Sequence, residues 1–311
     1  MWHALKIRQI ATFIAVYQER SFTSAAIRAH TTQSGVSMQI KELEDSIGLQ
    51  LFERSARGVE PTPAGERFYA HAMRVTHELQ SLRDQMSAIK GQVTGSVTAG
   101  LMPTFTRAAL TPAVQRFSAE YPLVNVRIVE AYSAVLTESV ANEEIDFAIV
   151  PPSSSDPRLQ AQYISQDREL FVTSSRTERA HLSPIKISAV GPLKLILPTH
   201  RNARRARLDA YLKGVGANVT AILEMDAMMG TIELIAASDW VSILPGALCY
   251  PDLVSGARKI HPIEEPPLFV DYVLITPASR LLGSAARAFA DALKSEIIRL
   301  GAEIGERTHS R

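Results

Sequence analysis

Residue types capable of covalent or metal chemistry occur in this chain, but not in working arrangements. Ser87-Ala88-Ile89-Lys90 has the Ser-x-x-Lys spacing in which a lysine activates a serine hydroxyl, yet no Ser-Asp-Asn or Lys-Thr-Gly segment follows it. The eight histidines include no His-Glu-x-x-His pair, no Gly-x-Gly-x-x-Gly opens a helix after a strand, and there is no Walker sequence. Cys249 is the single cysteine, which excludes an intrachain disulfide and a Cys-x-x-Cys zinc site, and it reads as a small buried hydrophobe. Catalysis is not expected, nor is a metal or a resident cofactor.

The chemistry that the spacing does offer is recognition. In "TTQSGVSMQIKELEDSIG", residues 31 to 48, Val36, Ile40, Leu43 and Ile47 recur at steps of four, three and four, so they share one buried stripe of a helix. Ser34, Ser37, Met38 and Lys41 are left off that stripe. Thr32 is placed to cap the helix and Gly48 to close it, while Gly35 reads as room for a close approach by the preceding helix or by a phosphate.

The elements that must hold this helix lie on either side. Upstream, Ile7, Ile10, Ile14 and Tyr17 mark one face of a first helix, and Ser21 caps a second that carries the small residues Ala25, Ala26 and Ala29. Three short helices with a tight polar turn before the last make a helix-turn-helix, whose last helix presents its N-terminal residues to base edges. Downstream, Leu51-Phe52-Glu53-Arg54 and Gly58-Val59-Glu60 flank a turn and predict a small hairpin, a wing. Arg54 and Arg57 are placed there to meet phosphate, which positions a protein without reading sequence.

Thr62 and Pro63 suit the cap and first position of a long helix. Its apolar positions Phe68, Ala72, Val75, Leu79, Leu82, Met86 and Ile89 alternate steps of four and three, a heptad seam that predicts pairing with a second copy. Beyond Gly91, Gly95 and Gly100, short apolar runs alternate with helical stretches. Strands are expected at 97–101, "VNVRIVEA", "DFAIV", "ELFVTS", "LKLILP", "VTAILEM", "WVSILP" and "YVLIT", with helices near 108–120, 135–142, 203–215, 228–237 and 284–300. Such alternation argues for mostly parallel sheets with helices on both faces, here in two sets separated by an irregular Pro/Ser crossover.

At 311 residues, 46% hydrophobic and 21% charged, the chain has the composition of an ordinary soluble protein of two or more domains. Its net charge of +1 does not discriminate among partners. The first 22 residues show no signal-peptide core, and no stretch approaches the ~18 uninterrupted apolar residues of a membrane span. A cytoplasmic location is expected. A solute-binding protein without a regulatory role is the alternative suggested by the two-lobed part alone, but it would need neither the N-terminal segment nor the absence of an export signal.

The stretch "FTSAAIRAHTTQSGVSMQIKELEDSIGLQLFERSARGVEPTPAGERF" resembles the DNA-binding region of LysR-type transcriptional regulators, with helix-turn-helix, Leu-Phe-Glu-Arg wing and Thr-Pro-Ala-Gly start of the linker helix in the family's order. The rest resembles the family's effector module. The fold implied is an all-α winged helix-turn-helix over 1–62, a linker and dimerisation helix over 63–92, and an α/β effector domain over 93–305. That domain would comprise two Rossmann-like sub-domains of the type 2 periplasmic-binding-protein kind, one at about 96–165 and 275–305, the other at about 166–274.

The resemblance further implies a regulator that binds double-stranded promoter DNA as a homodimer or homotetramer, with RNA polymerase as a further candidate partner and no membrane. Gln33, Ser34, Ser37, Met38 and Lys41 correspond to groove-facing positions, with Thr23 and Thr32 at the starts of the second and third helices beside them. Many members have Pro where this chain has Ser34 and a basic residue where it has Met38, so readout should lean on Gln33, on Lys41 and on Met38 against a thymine methyl. A small organic effector, a carboxylate or aromatic acid, is implied in a cleft lined by Met102, Pro103, Thr104 and Ser133 on one side. Pro198, Thr199, His200, Arg201 and Asn202 would line the other, with Phe105 beside Met102 as apolar wall or core.

Overall fold

The starts of three helices in the N-terminal part carry side-chain caps in the computed structural model, which describes residues 5–55, 58–89, 92–153, 155–200 and 202–308. The Ser21 hydroxyl accepts from Ser24 N–H at 3.2 Å before α2 (Phe22–Arg28), and Thr32 accepts from Gly35 N–H at 3.1 Å before α3 (Gln33–Ile47). Thr62 accepts from Gly65 N–H at 3.0 Å inside the first turn of α4 (Pro63–Ile89). Each cap satisfies one of the amides that a helix start leaves without an internal partner. The chain divides into two compact units, 1–86 and 87–311.

In the first unit α1 (Ile7–Glu19), α2 and α3 pack around Phe13, whose ring lies 5.0 Å from Phe52 and edge-on to Phe68 at 4.8 Å. The wing is the antiparallel pair β1 (Phe52–Ser55) and β2 (Gly58–Pro61). The stripe Val36, Ile40, Leu43 is buried, with Ile47 packed on its edge. The first helix differs from expectation. Ile7 is 60% exposed, and the polar residues Gln9 and Thr12 are buried instead. They can be, because Gln9 donates to Glu42 at 3.0 Å and the Thr12 hydroxyl to Gln39 at 2.6 Å, both on α3.

Two glycines have specific reasons. A Cβ on Gly35 would lie 3.2 Å from the Thr32 hydroxyl and 3.3 Å from that of Thr31, so the space there belongs to the helix's own cap and not to α2. A Cβ on Gly65 would come within 2.2 Å of the Leu51 carbonyl oxygen, which also accepts the Thr62 N–H. Only glycine lets α4 begin against the wing's backbone.

The second unit is built on β3 (Gly95–Leu101), β4 (Val124–Glu130), β5 (Phe147–Val150), β6 (Leu159–Ser174), β7 (Leu193–Leu197), β8 (Val219–Glu224), β9 (Ser242–Pro245), β10 (Arg258–Pro262) and β11 (Phe269–Pro277). The order β10-β6-β11-β5-β3-β4, with β9 also on β6, makes a seven-stranded sheet, and β7-β8 pair separately. Pairs β3–β4, β3–β5 and β7–β8 are parallel, but those made by β6 and β11 are antiparallel, so the sheet is mixed where mostly parallel strands were expected. The first half of β6 pairs with β11 and the second half with β9 and β10. This strand starts ten residues before "ELFVTS". Its polar run Gln160, Gln162, Gln166, Asp167, Arg168 conceals it, because no apolar alternation marks the crossing.

Helices α5 (Pro103–Thr106), α6 (Leu110–Glu120), α7 (Ser133–Ala141), α8 (Ala203–Gly214), α9 (Met228–Ala237), α10 (Gly246–Ser255) and α11 (Ser284–Thr308) cover these strands. The short α5, α10 and β10 carry no periodic signature of their own. No helix among the described residues is long and apolar enough to cross a membrane.

Candidate DNA-reading face and effector site

On α3, Gln33, Ser34, Met38 and Lys41 are exposed and Ser37 is half-buried, on the faces that the buried stripe leaves to solvent. The side chains of Gln33, Met38 and Lys41 make no hydrogen bond or ion pair among the described residues. Ser34 shares a 3.1 Å contact with the Thr32 hydroxyl, so Thr32 serves both as cap and as a support for its neighbour. Thr23 is exposed at the start of α2. Arg54 lies on β1 with its side chain outside the described residues, and Arg57 lies outside them altogether.

Along α4 the heptad positions separate into two groups. Phe68 and Ala72 face the core of their own unit, while Val75, Leu82 and Met86 are about half exposed and Leu79 is half-buried. The Ile89 side chain, like Lys90 of the Ser-x-x-Lys segment, is outside the described residues. The helix is anchored at its start by Tyr69, stacked on Tyr17 at 3.8 Å, and by the Tyr17 hydroxyl donating to Glu66.

In the second unit, α5 and α7 follow the C-terminal ends of β3 and β4 directly. Met102, Pro103 and Thr104 are buried there, and Phe105 is core, edge-on to Tyr272 at 4.7 Å. Ser133 opens α7, which has no side-chain cap and no acidic residue in its first turn. Tyr132, just before it, has its phenol beside the Met228 N–H at the start of α9, with Asp226 and Glu130 nearby. Burial, more than those carboxylates, pushes this phenol up. Residues from the ends of β4 and β8 thus meet.

The loop after β7 is more committed than the sequence suggested. Thr199 donates to Asp226 twice, from its N–H at 3.0 Å and its hydroxyl at 2.6 Å. Asn202 caps α8 by accepting from Arg204 N–H, and the Pro198 carbonyl accepts from Arg205 at 2.8 Å. His200 is exposed, 3.7 Å from Glu224, and Arg201 lies outside the described residues. Arg204 and Arg205 are both buried in spite of their charge. Arg204 grips Glu169 bidentately at 3.0 and 2.6 Å, and Arg205 pairs with Asp209 and Glu224.

Residues 7–66 match the family model described as bacterial regulatory helix-turn-helix protein, lysR family, and residues 90–297 match the LysR substrate binding domain. The chain belongs to the LysR family of transcriptional regulators.

It is similar to the nitrogen assimilation regulatory protein nac of Escherichia coli (strain K12), 25% identical over 94% of this chain and 95% of that one. It is also similar to the regulator PgrR of the same organism, 29% identical over 93% and 97%. Among solved structures, a full-length OxyR variant from Pseudomonas aeruginosa aligns with a TM-score of 0.73 at 21% identity, covering 95% of both chains. CbnR complexed with its target DNA aligns with a TM-score of 0.64 at 19% identity over 94% of this chain and 100% of that one. These two share the fold. As a LysR-type regulator the chain is a DNA-binding protein with an effector-binding domain, and the relatives it matches are named as transcriptional regulators.

For a regulator of this family, the residues that sequence reasoning missed are interior ones: Asp167 and Glu169 on β6, and Tyr272 on β11. Arg204 grips Glu169, while the carboxyl of Asp167 and the phenol of Tyr272 are buried within electrostatic reach of that pair. Burial raises the Asp167 carboxyl to about 7 and pushes the Tyr272 phenol well above its ordinary value. Tyr272 and Glu169 were marked only by polar type at or beside an apolar run, and Asp167, inside the polar run of β6, carried no signal. Cys249 is buried as expected, and burial pushes its thiol up, away from reactivity.

Proposed function

We propose that this LysR-type regulator reads promoter DNA with Gln33, Ser34, Ser37, Met38 and Lys41 of α3, with Thr23, Thr32, Arg54 and Arg57 around them on the backbone. The winged domain spans 1–62, the linker helix 63–92 and the effector module 93–305. Two copies join along Val75, Leu79, Leu82, Met86 and Ile89, and two such dimers form the working tetramer. The observation that carries the DNA reading is the contrast across α3: one face is buried, and the other offers a glutamine, a methionine and a lysine with no partner among the described residues. Such side chains suit adenine edges, thymine methyls and phosphates.

In the effector module a small organic acid binds where the ends of β3 and β4 meet those of β7 and β8. Its carboxylate is received by Ser133 and the uncapped first turn of α7, a helix start that favours an anion. Thr104 is the other hydroxyl of the site, since Thr199 is held by Asp226.

Purified protein should retard DNA from its own upstream region, with an affinity that falls steeply as salt rises. Gln33→Ala should erase sequence preference while leaving the assembly intact; unchanged footprints would remove α3 from the groove. Ser133→Ala should weaken the response to an acid found by thermal shift with DNA affinity preserved, since it acts on coupling between two sites. An undiminished response would take Ser133 out of the site.

A further inference from the structure

Three polar side-chain atoms beside the strand crossing have no hydrogen-bond partner among the described residues: the Thr104 hydroxyl, the Tyr272 hydroxyl and Oδ1 of Asp167. Thr104 and Tyr272 are fully buried and Asp167 nearly so. Burying a hydroxyl without a partner is unfavourable, so native structures leave few such groups, and those that persist call for a reason. Here they gather in one place. The Thr104 hydroxyl and the Tyr272 phenol interact weakly with each other without reaching hydrogen-bond geometry, and Phe105, the neighbour of Thr104 on α5, packs edge-on against the same ring. In the register of β6 with β11, Asp167 opposes Val270 and Ser165 opposes Tyr272, so Asp167 and Tyr272 project from the same face of the sheet.

We propose that the effector carries a hydroxyl received by Thr104 and Tyr272, which makes Tyr272 a specificity-determining residue and the effector a hydroxy acid. This rests on the acid reading given above. A second carboxylate at this spot is disfavoured, because the nearby Arg204 guanidinium is already bound to Glu169 and to the Ile243 carbonyl, and the Glu169 carboxylate is itself a like charge beside Tyr272. A hydroxyl accepts from one of the two protein hydroxyls and still has a proton to donate toward the other or toward Asp167. A methyl or ring C–H at the same place leaves them all unpaired, and sites built to bind a hydroxyl reject the analogue lacking it strongly.

The test has an arm without ligand and an arm with matched probes. In ligand-free protein, Tyr272→Phe should leave Tm unchanged or raise it, since it deletes an unpartnered buried hydroxyl. A fall of several degrees would mean that the hydroxyl is already satisfied inside the free protein, and would overturn the proposal. Binding is then measured by thermal shift for lactate, propionate and pyruvate, for malate, succinate and oxaloacetate, and for salicylate and benzoate. Wild type should favour the hydroxylated member of a set at least tenfold, and Tyr272→Phe should abolish that preference while still binding the acid. Thr104→Val should reduce it. Equal binding of deoxy or keto analogues by wild type, or a preference that survives Tyr272→Phe, refutes the hydroxyl contact alone. Failure of wild type to bind any acid refutes the acid reading, and the hydroxy-acid reading with it.

Discussion

The two units handle polar side chains in opposite ways. In the first, the groups assigned to function lie on the outside of α3, and the polar groups inside, Gln9 and Thr12, are paired with Glu42 and Gln39. In the second, the informative groups are internal: a bidentate Arg204–Glu169 pair, a raised Asp167, and two buried hydroxyls without partners among the described residues. A surface that waits for a large external partner follows from helical period alone, because whatever the core does not take is left over. The site proposed for a small molecule, with the buried pair beside it, draws on residues from α5, β6, α8 and β11, and no period connects them.

The sharpest way to break this contrast is to attack the outside of the first unit. Replacing Leu79 and Leu82 together by Glu should dissolve the dimer and lower operator affinity at least a hundredfold, since the second half-site then loses its tethered partner. Leu82 is 54% exposed in the single chain, so the winged domain itself should stay folded. Sedimentation showing an unaltered assembly would refute the seam.

How far the sequence carried follows the same division. The caps at Ser21, Thr32 and Thr62, the stripe on α3 and the wing were legible because each is local: a hydroxyl, a spacing, a turn. Most strands of the second unit were legible as apolar runs. What escaped was non-local. The first half of β6 reads as polar because its pairing with β11, across more than a hundred residues, supplies the order that its own residues do not advertise. Thr199 was legible as a hydroxyl in the right loop, but not as one already held by Asp226, which comes from the end of another strand.

A smaller effect concerns the junction of wing and linker. Gly65→Ala would place a methyl 2.2 Å from the Leu51 oxygen, a backbone atom that cannot swing aside, so the start of α4 must shift. A loss of about 1–3 kcal/mol is expected, as for other overpacked sites. Gly35→Ala meets only hydroxyls at 3.2 and 3.3 Å and should cost less. Comparing the two by denaturant unfolding tests whether the wing's backbone contact fixes the linker; equal stabilities would argue that it does not.

The smallest effect belongs to the second unit's interior and has a sign that distinguishes it. Burial raises the Asp167 carboxyl to about 7, so between the ordinary carboxylate range and about pH 7 the folded state holds a proton that the unfolded state has released. Stability from this group therefore falls as pH rises through that window and levels off above it. His261 works the other way, because burial lowers it to about 4 and its contribution is lost as pH falls from about 6.5 toward 4. Above about pH 6.5 Asp167 is the one of the two still titrating. Between pH 6 and 8 the wild-type Tm should therefore drop by a few degrees relative to Asp167→Asn, whose curve should be flat or rising. Parallel curves for the two proteins would show that Asp167 is ionised or paired throughout, and would remove it from the buried polar group at the strand crossing.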